Sequence, residues 1–239
     1  MKVTRLGHSG MAIETHEATL LFDFYTDPAN LAPDLLRRSQ RLYIMVSHSH
    51  RDHLCHDIFG WYNQYPDTIT QYVIANECRR KLKRAISLDN LPVTFLHHDE
   101  DWTDGTLAIH TFSSTDVGVS FLATIDGRTV FHAGDFSCWS FSDDDESLRR
   151  KARGDFHAIL RTIARHSPHI DVVMMPVIPN IGGDWAYGPR ELLRAIRVDH
   201  FIPIHTWGRD REACQFQRYQ NPDHGLCHPL PEGQTITID

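Results

Sequence analysis

Along the chain, short apolar runs of β-favouring residues alternate with polar turns, and a few stretches carry helical periodicity. Residues 2–6, 11–14 and 19–24 read as strands, the first two joined through Gly7-His-Ser-Gly10, whose glycines permit a tight loop. A loop and short helix over 28–38 precede the apolar run 42–46, which reads as a buried strand. Leu54, Ile58 and Phe59 follow at helical spacing, then strands over 69–75 and 93–96 with a charged amphipathic helix over 77–87 between them. Residues 97–101, His-His-Asp-Glu-Asp, read as a solvated turn. Strands over 107–112, 119–125 and 129–132 come next, the last two joined by Asp126-Gly127, a strong two-residue hairpin signal.

The acidic run 142–146 precedes Arg149, Arg150, Lys151 and Arg153, an order that complements a helix dipole, with Ser142 or Asp143 as the N-cap. Phe156, Ile159, Leu160 and Ile163 give that helix one apolar face. Beyond it come a strand over 171–176, a Gly/Pro-rich loop over 178–189, a helix over 189–197 with Pro189 in its first turn, and a strand over 201–204. A loop over 225–231 and a closing strand over 235–238 complete the chain. Strands interleaved with helices predict an α/β or α+β fold, in one domain spanning 1–239.

Composition narrows the function more than the fold. The 239 residues, 41% hydrophobic and 23% charged, suit one substantial core. A formal charge of −7 argues against a nonspecific nucleic-acid or anionic-membrane surface, and no apolar run approaches the roughly 20 residues a membrane span needs. Five scattered cysteines without a Cys-x-x-Cys pair or a leading signal peptide point to a reducing cytoplasm. A small-molecule substrate is the expected partner, and oligomeric state is not legible.

The chemistry concentrates in Met45-Val-Ser-His-Ser-His-Arg-Asp-His-Leu54. His48 and His50, two apart on an extended exit from the 42–46 strand, converge, whereas Asp52 and His53 sit where the chain turns and need not share that direction. Two ligand sets imply two metal positions, and imidazole with carboxylate suits Zn²⁺ and neighbouring divalent ions.

The spacing His-x-His-x-Asp-His after a strand resembles the signature of the metallo-β-lactamase fold superfamily, in particular its small metal-dependent hydrolases. Residues 1–24 resemble their opening, Phe131-His-Ala-Gly-Asp135 their fourth motif and Pro203-Ile-His205 their fifth. The resemblance implies a four-layer αββα sandwich with metals at one edge. It makes His48, His50, Asp52, His53, Asp135 and His205 ligands, with Asp135 bridging, and Asp23 a support that orients the histidines without touching metal. The runs 20–23 and 129–135 are both apolar strands ending in Asp, as two pseudo-equivalent halves would give. His8 is expected beside the metals, as a supporting or substrate-contacting side chain or as a local cap. Trp207 and Arg209 are expected at an anionic substrate.

One ligand of the family pattern is missing. Related sequences carry a third histidine for the first site where this chain has Ser113-Ser-Thr-Asp116. Superposing the pattern puts Asp116 there, with Thr115 or Ser114 under a shift of one or two residues, while His110 lies too early on its strand. A carboxylate would make that site harder and move its preference from Zn²⁺ toward Mn²⁺ or Fe²⁺, although the Irving–Williams order still favours Zn²⁺. If it cannot reach, the first ion hangs on His48, His50 and Asp135, and a mononuclear enzyme results. The implied activity is hydrolysis of an ester, lactone or similar bond by a metal-bound hydroxide that Asp52 orients. A phosphodiesterase or nuclease of the same fold, and a non-catalytic metal-binding regulatory domain, are the alternatives.

Overall fold

The computed structural model describes residues 1–182, 184–219 and 226–239, and only the backbone of 217–219 and 226. The turns and strands read from the sequence assemble into two seven-stranded sheets. The first contains β1 (Lys2–Gly7), β2 (Gly10–Glu14), β3 (Thr19–Phe22), β4 (Leu42–Val46), β5 (Ile69–Ala75), β6 (Val93–Leu96) and the C-terminal β14 (Thr235–Thr237). The second contains β7 (Asp101–Thr103), β8 (Ala108–Ser113), β9 (Val119–Ile125), β10 (Arg128–His132), β11 (His169–Pro176), β12 (Arg197–Ile204) and β13 (Leu226–Cys227). Their strand orders are β14-β1-β2-β3-β4-β5-β6 and β13-β12-β11-β10-β9-β8-β7.

Each sheet changes character at one strand. In the first, pairing is antiparallel from β14 to β3 and parallel from β3 to β6. In the second it is antiparallel from β7 to β10 and parallel from β10 to β13. The pivots β3 and β10 are the strands followed by Asp23 and, three residues on, Asp135.

Period-two burial explains the layering. On β11, Val172 and Met174 join the core between the sheets, while Val173 and Met175 face the opposite way. There they meet Phe156, Leu160 and Ile163 of α4 (Glu146–His166) and Leu192 and Leu193 of α5 (Tyr187–Ala195). Leu35 and Leu36 of α1 (Ala32–Arg38) and Leu82 of α3 (Arg79–Ala85) belong to the core of the first sheet. Helices outside and two sheets inside make the αββα sandwich.

Several local expectations need correction. The turn after the metal motif is followed by only a four-residue helix, α2 (Asp57–Gly60), because the chain spends residues 50–54 on one hydrogen-bonded turn that aims side chains inward. Asp101–Thr103 is an edge strand, not part of a free turn, since its partner β8 supplies a complete antiparallel ladder. The N-cap of α4 is Asp145, whose carboxylate accepts from the Ser147 and Leu148 amides, so neither Ser142 nor Asp143 caps it. The helix expected over 189–197 starts earlier and stops at Ala195, where Arg197 enters β12. Cys214 and Cys227 are joined as a disulfide that ties the short helix α6 (Asp210–Ala213) and its extension to β13, a pairing the reading of scattered thiols did not anticipate. The loop expected over 225–231 begins at a residue outside the described ones. Among the described residues no helix is long and apolar enough to cross a membrane.

The sheets meet closely at the edge where β4 and β9 approach. The Val119 amide donates to the Ser47 carbonyl at 2.9 Å, and Gly118, at φ +77°, lies so near that a Cβ there would stand 2.0 Å from the Ser47 oxygen and 2.5 Å from the His48 Cβ. Gly118→Ala should therefore cost about 3 kcal/mol or more, lowering the melting temperature by roughly 6–12 °C. Gly127→Ala, at φ +70° but with open space around it, should cost about 1–2 kcal/mol. Equal melting temperatures for the two variants would refute the close approach.

Candidate metal centre

Every residue of the centre leaves a strand at the same edge of the sandwich. His8 follows β1, Asp23 follows β3, the 47–53 segment follows β4, Asp116 follows β8, Asp135 follows β10 and His205 follows β12. The carboxyl ends of parallel strands are where open α/β sheets place their ligands. His8, Asp23 and His205 all adopt positive φ, 50°, 43° and 58°, a cost of order 1–3 kcal/mol each that surrounding contacts must offset.

Asp23 anchors the segment. Its fully buried carboxylate accepts from the Ser47 amide at 2.7 Å, the Ser47 hydroxyl at 2.6 Å and His53 Nδ1 at 2.7 Å. The last contact fixes the His53 tautomer, leaving Nε2 free to face inward. His132 is buried under Phe22, donating through Nε2 to the Ser9 carbonyl and accepting at Nδ1 from the Gly134 amide, so it packs the site from behind.

The inward-facing atoms form two clusters. In one, His50 Nδ1 stands 3.1 Å from His48 Nε2 and 3.3 Å from an Asp116 carboxylate oxygen, and His48 Nε2 is 3.5 Å from Asp135 Oδ2. In the other, Asp52 Oδ2 lies 3.2 Å from His8 Nε2 and 3.6 Å from His205 Nε2. His53 Nε2 and His205 Nε2 are 3.2 and 3.7 Å from Asp135 Oδ1. Asp135 thus turns one oxygen to each cluster. Four ligands about 2.1 Å from one ion stand roughly 3.4 Å apart in a tetrahedron, and these separations bracket that value.

The donor chemistry fits metal as well as the spacing does. His8 Nε2, His53 Nε2 and Asp135 Oδ1 are buried without a hydrogen-bond partner, an arrangement that folded interiors avoid unless something else satisfies the atoms. Charge points the same way. Burial opposes a proton on His53, yet the Asp23 and Asp135 carboxylates hold its pKa up at about 10. Burial likewise opposes ionisation of Asp135, and the neighbouring His48 and His53 imidazoles overcome it, holding its carboxyl well below the usual range. His205 and His8 do the same for Asp52. His8 itself is pushed down by burial. The cluster demands positive charge, and neutral imidazoles around divalent ions satisfy that demand.

Of the residues expected from sequence, His48, His50, Asp52, His53, Asp135 and His205 converge here, and Asp116 reaches the first cluster. Ser114 instead accepts from the Asp116 amide, and Thr115 exchanges hydrogen bonds with the Ser137 backbone. His110 lies apart, bonded to Asp101 and stacked on His166. His8, expected as a support or substrate contact, stands within the second cluster itself. Trp207 is 61% exposed with its ring 4.7 Å from the His8 ring, at the mouth. Arg209 turns away to Glu212, so it does not line the metals.

Sequence reading missed Arg5. Wholly buried at the end of β1, its guanidinium ion-pairs with Asp210 and donates to the His8 carbonyl at 3.0 Å, the Thr206 hydroxyl at 3.1 Å and the Leu230 carbonyl at 3.2 Å. Thr206 also donates to Asp210 at 2.7 Å. One side chain therefore holds the His8 carbonyl and the Thr206 hydroxyl next to His205. A lone Arg in an apolar strand was the available signal.

No protein-family model matches the chain. It is similar to the UPF0173 metal-dependent hydrolase of Bacillus velezensis, 29% identical over 226 residues, covering 86% of this chain and 85% of that one. The namesake from Thermococcus kodakarensis is 26% identical over 220 residues, covering 87% and 86%. Among solved structures, the metallo hydrolase Igni18 of Ignicoccus hospitalis superposes with TM-score 0.69 at 17% identity, covering 100% of this chain and 98% of that one. The metallo-beta-lactamase fold protein YhfI of Bacillus subtilis gives 0.67 at 13%, covering 98% of each.

Two outcomes follow from this geometry. Verified removal of metal by a chelator should lower the melting temperature, because buried carboxylates lose their counter-charge, and an unchanged melting curve would contradict it. Asp116→Ala should lower the bound metal from two ions per chain toward one, and Asp116→His should restore two. Wild-type stoichiometry in Asp116→Ala, measured by elemental analysis, would make Asp116 a bystander.

Proposed function

We propose that this chain, a metallo-hydrolase of the metallo-β-lactamase superfamily, hydrolyses an uncharged ester or lactone at a centre of two divalent ions. The observation that carries the reading is the pair of ligand clusters joined by Asp135, one oxygen facing each. His48, His50, Asp116 and Asp135 would hold one ion, and His8, Asp52, His53 and His205 the other, with Asp135 shared. Bound there, the ions supply an acidified water and polarisation of the substrate carbonyl.

The residues do the rest. Asp52, kept ionised by His205 and His8, accepts a hydrogen bond from the attacking water and orients it. Asp23 holds His53, and Arg5 holds the His8 carbonyl and the Thr206 hydroxyl next to His205, so the inward nitrogens are held in place before reaction. The Trp139 indole donates to the Asp135 carbonyl at 2.9 Å and fixes the segment that carries the shared carboxylate.

Charge favours a neutral substrate. The four carboxylates of Asp23, Asp52, Asp116 and Asp135 balance two divalent ions with neutral histidines, leaving no surplus positive charge for a phosphate diester, and Arg209 is occupied by Glu212. The formal charge of −7 supports a small molecule over nucleic acid as partner. The three-histidine cluster suits Zn²⁺, while two carboxylates make the other receptive to Mn²⁺ or Fe²⁺. The fold accommodates iron elsewhere. CmlA of Streptomyces venezuelae, a diiron beta-hydroxylase of which this chain covers 54%, superposes with TM-score 0.68 at 11% identity.

Protein loaded with Zn²⁺, Mn²⁺ or Fe²⁺ should hydrolyse γ-butyrolactone or p-nitrophenyl acetate with kcat/KM at least about tenfold above that for bis(p-nitrophenyl) phosphate. Asp52→Asn should reduce it by roughly 10²-fold or more. A preference for the phosphodiester would overturn the assignment.

A further inference from the structure

Beside the metal centre lies a cavity of about 270 Å³ that the reaction above does not use. Its walls are Thr115 and Trp139 on one side and, on the other, Phe141 with Leu148 and Ala152 of α4. We infer that this cavity is the subsite for an uncharged alkyl or aryl arm of the substrate, an inference that rests on the ester or lactone reading above.

Continuity with the centre is built from bonds already described. Trp139 lines the cavity while its indole N–H donates to the Asp135 carbonyl, and its ring lies 6.3 Å from the His205 ring. Thr115, on the same wall, precedes the candidate ligand Asp116 and is locked to Ser137 by bonds of 2.7 and 3.0 Å. One indole therefore stands between the cavity and the candidate ligands, and the wall of Thr115 and Trp139 is held by hydrogen bonds.

Two of the exposed apolar side chains line the cavity, and the other two neighbour candidate ligands in the sequence. Among the described residues the large hydrophobic side chains left exposed are Val117, Phe141, Leu148 and Trp207. Val117 adjoins Asp116, Trp207 is two residues from His205, and Phe141 and Leu148 line the cavity. Phe141 and Leu148, both exposed, give the cavity an apolar lip of the kind that marks a binding surface. The charges at the rim are already satisfied. Lys151 pairs with Asp155 at 2.6 Å, and Asp144 accepts from the Phe141 amide at 2.7 Å, so the one carboxylate without a cation partner is hydrogen-bonded and would repel an anionic arm. The volume suits one ring or a short chain.

The test compares γ-butyrolactone with γ-nonalactone, which share the reacting ring and differ by an alkyl arm. The metal-loaded enzyme should prefer γ-nonalactone by about 30-fold or more in kcat/KM. Leu148→Ser, at an exposed helical position, and Ala152→Phe, which fills the cavity from the helix, should each bring that ratio below about fivefold. Equal turnover of the two lactones, or a ratio that neither variant changes, overturns the subsite while leaving hydrolysis standing. If neither lactone is hydrolysed, the reaction reading fails and the cavity is judged by calorimetric titration of nonanoate against butyrate. Tighter nonanoate binding that Ala152→Phe weakens upholds the subsite, and indistinguishable binding removes it.

Discussion

The buried carboxylate of Asp23 is the constraint on which the rest of the centre depends. A carboxylate with no solvent exposure is tolerable only when fully hydrogen-bonded, and all three of its short bonds go to Ser47 and His53. It therefore forces the segment after β4 to fold back over the end of β3. That return aims His53 Nε2 at Asp135 and leaves His48 and His50 directed to the other cluster. Asp52 and His53 would not be placed by the strand alone, since period-two geometry converges only His48 with His50.

The two sheets show the same device used twice for different ends. Each changes from antiparallel to parallel pairing at the strand that leads to an Asp, β3 in one and β10 in the other. Asp23 is sealed from solvent and spends its oxygens on protein donors. Asp135 sits after Gly134, whose φ of +55° and missing Cβ, which would stand 2.8 Å from the Ser47 side chain, let the chain bend toward the centre, and one of its oxygens lacks a protein donor. A supporting carboxylate and a bridging one thus arise from one topology, separated by a single glycine turn.

Much of this was legible because it is local. Strands 42–46 and 119–125, the Asp126-Gly127 hairpin and the His-x-His-x-Asp-His spacing each follow from neighbours in the chain. What was not legible depends on distance. Arg5 is informative only beside Asp210, 205 positions away, and His8 joins the ligands only because β1 and β12 end side by side. The edge strand Asp101–Thr103 hid in an acidic run because pairing with β8, not propensity, makes it a strand. Within the run 142–146 several residues are equivalent as N-caps, and only the backbone at Asp145 decides among them.

The two clusters differ in how firmly the chain holds them. His8, His53 and His205 are buried, His53 is gripped by Asp23, and Arg5 braces the other two through the His8 carbonyl and the Thr206 hydroxyl. In the other cluster, the His50 side chain is 51% exposed and that of Asp116 35%, and the turn bearing Asp116 is secured mainly through Gly118 and Thr115. Preorganised, buried donors lose little freedom when they bind an ion, whereas exposed ones must be ordered at a cost in side-chain entropy. Replacing imidazole with the Asp116 carboxylate adds Coulombic attraction, but solvent screens it at the exposed position. The histidine-rich cluster would therefore hold an ion more tightly, and the cluster of His50 and Asp116, open to solvent, would be the one to exchange its ion.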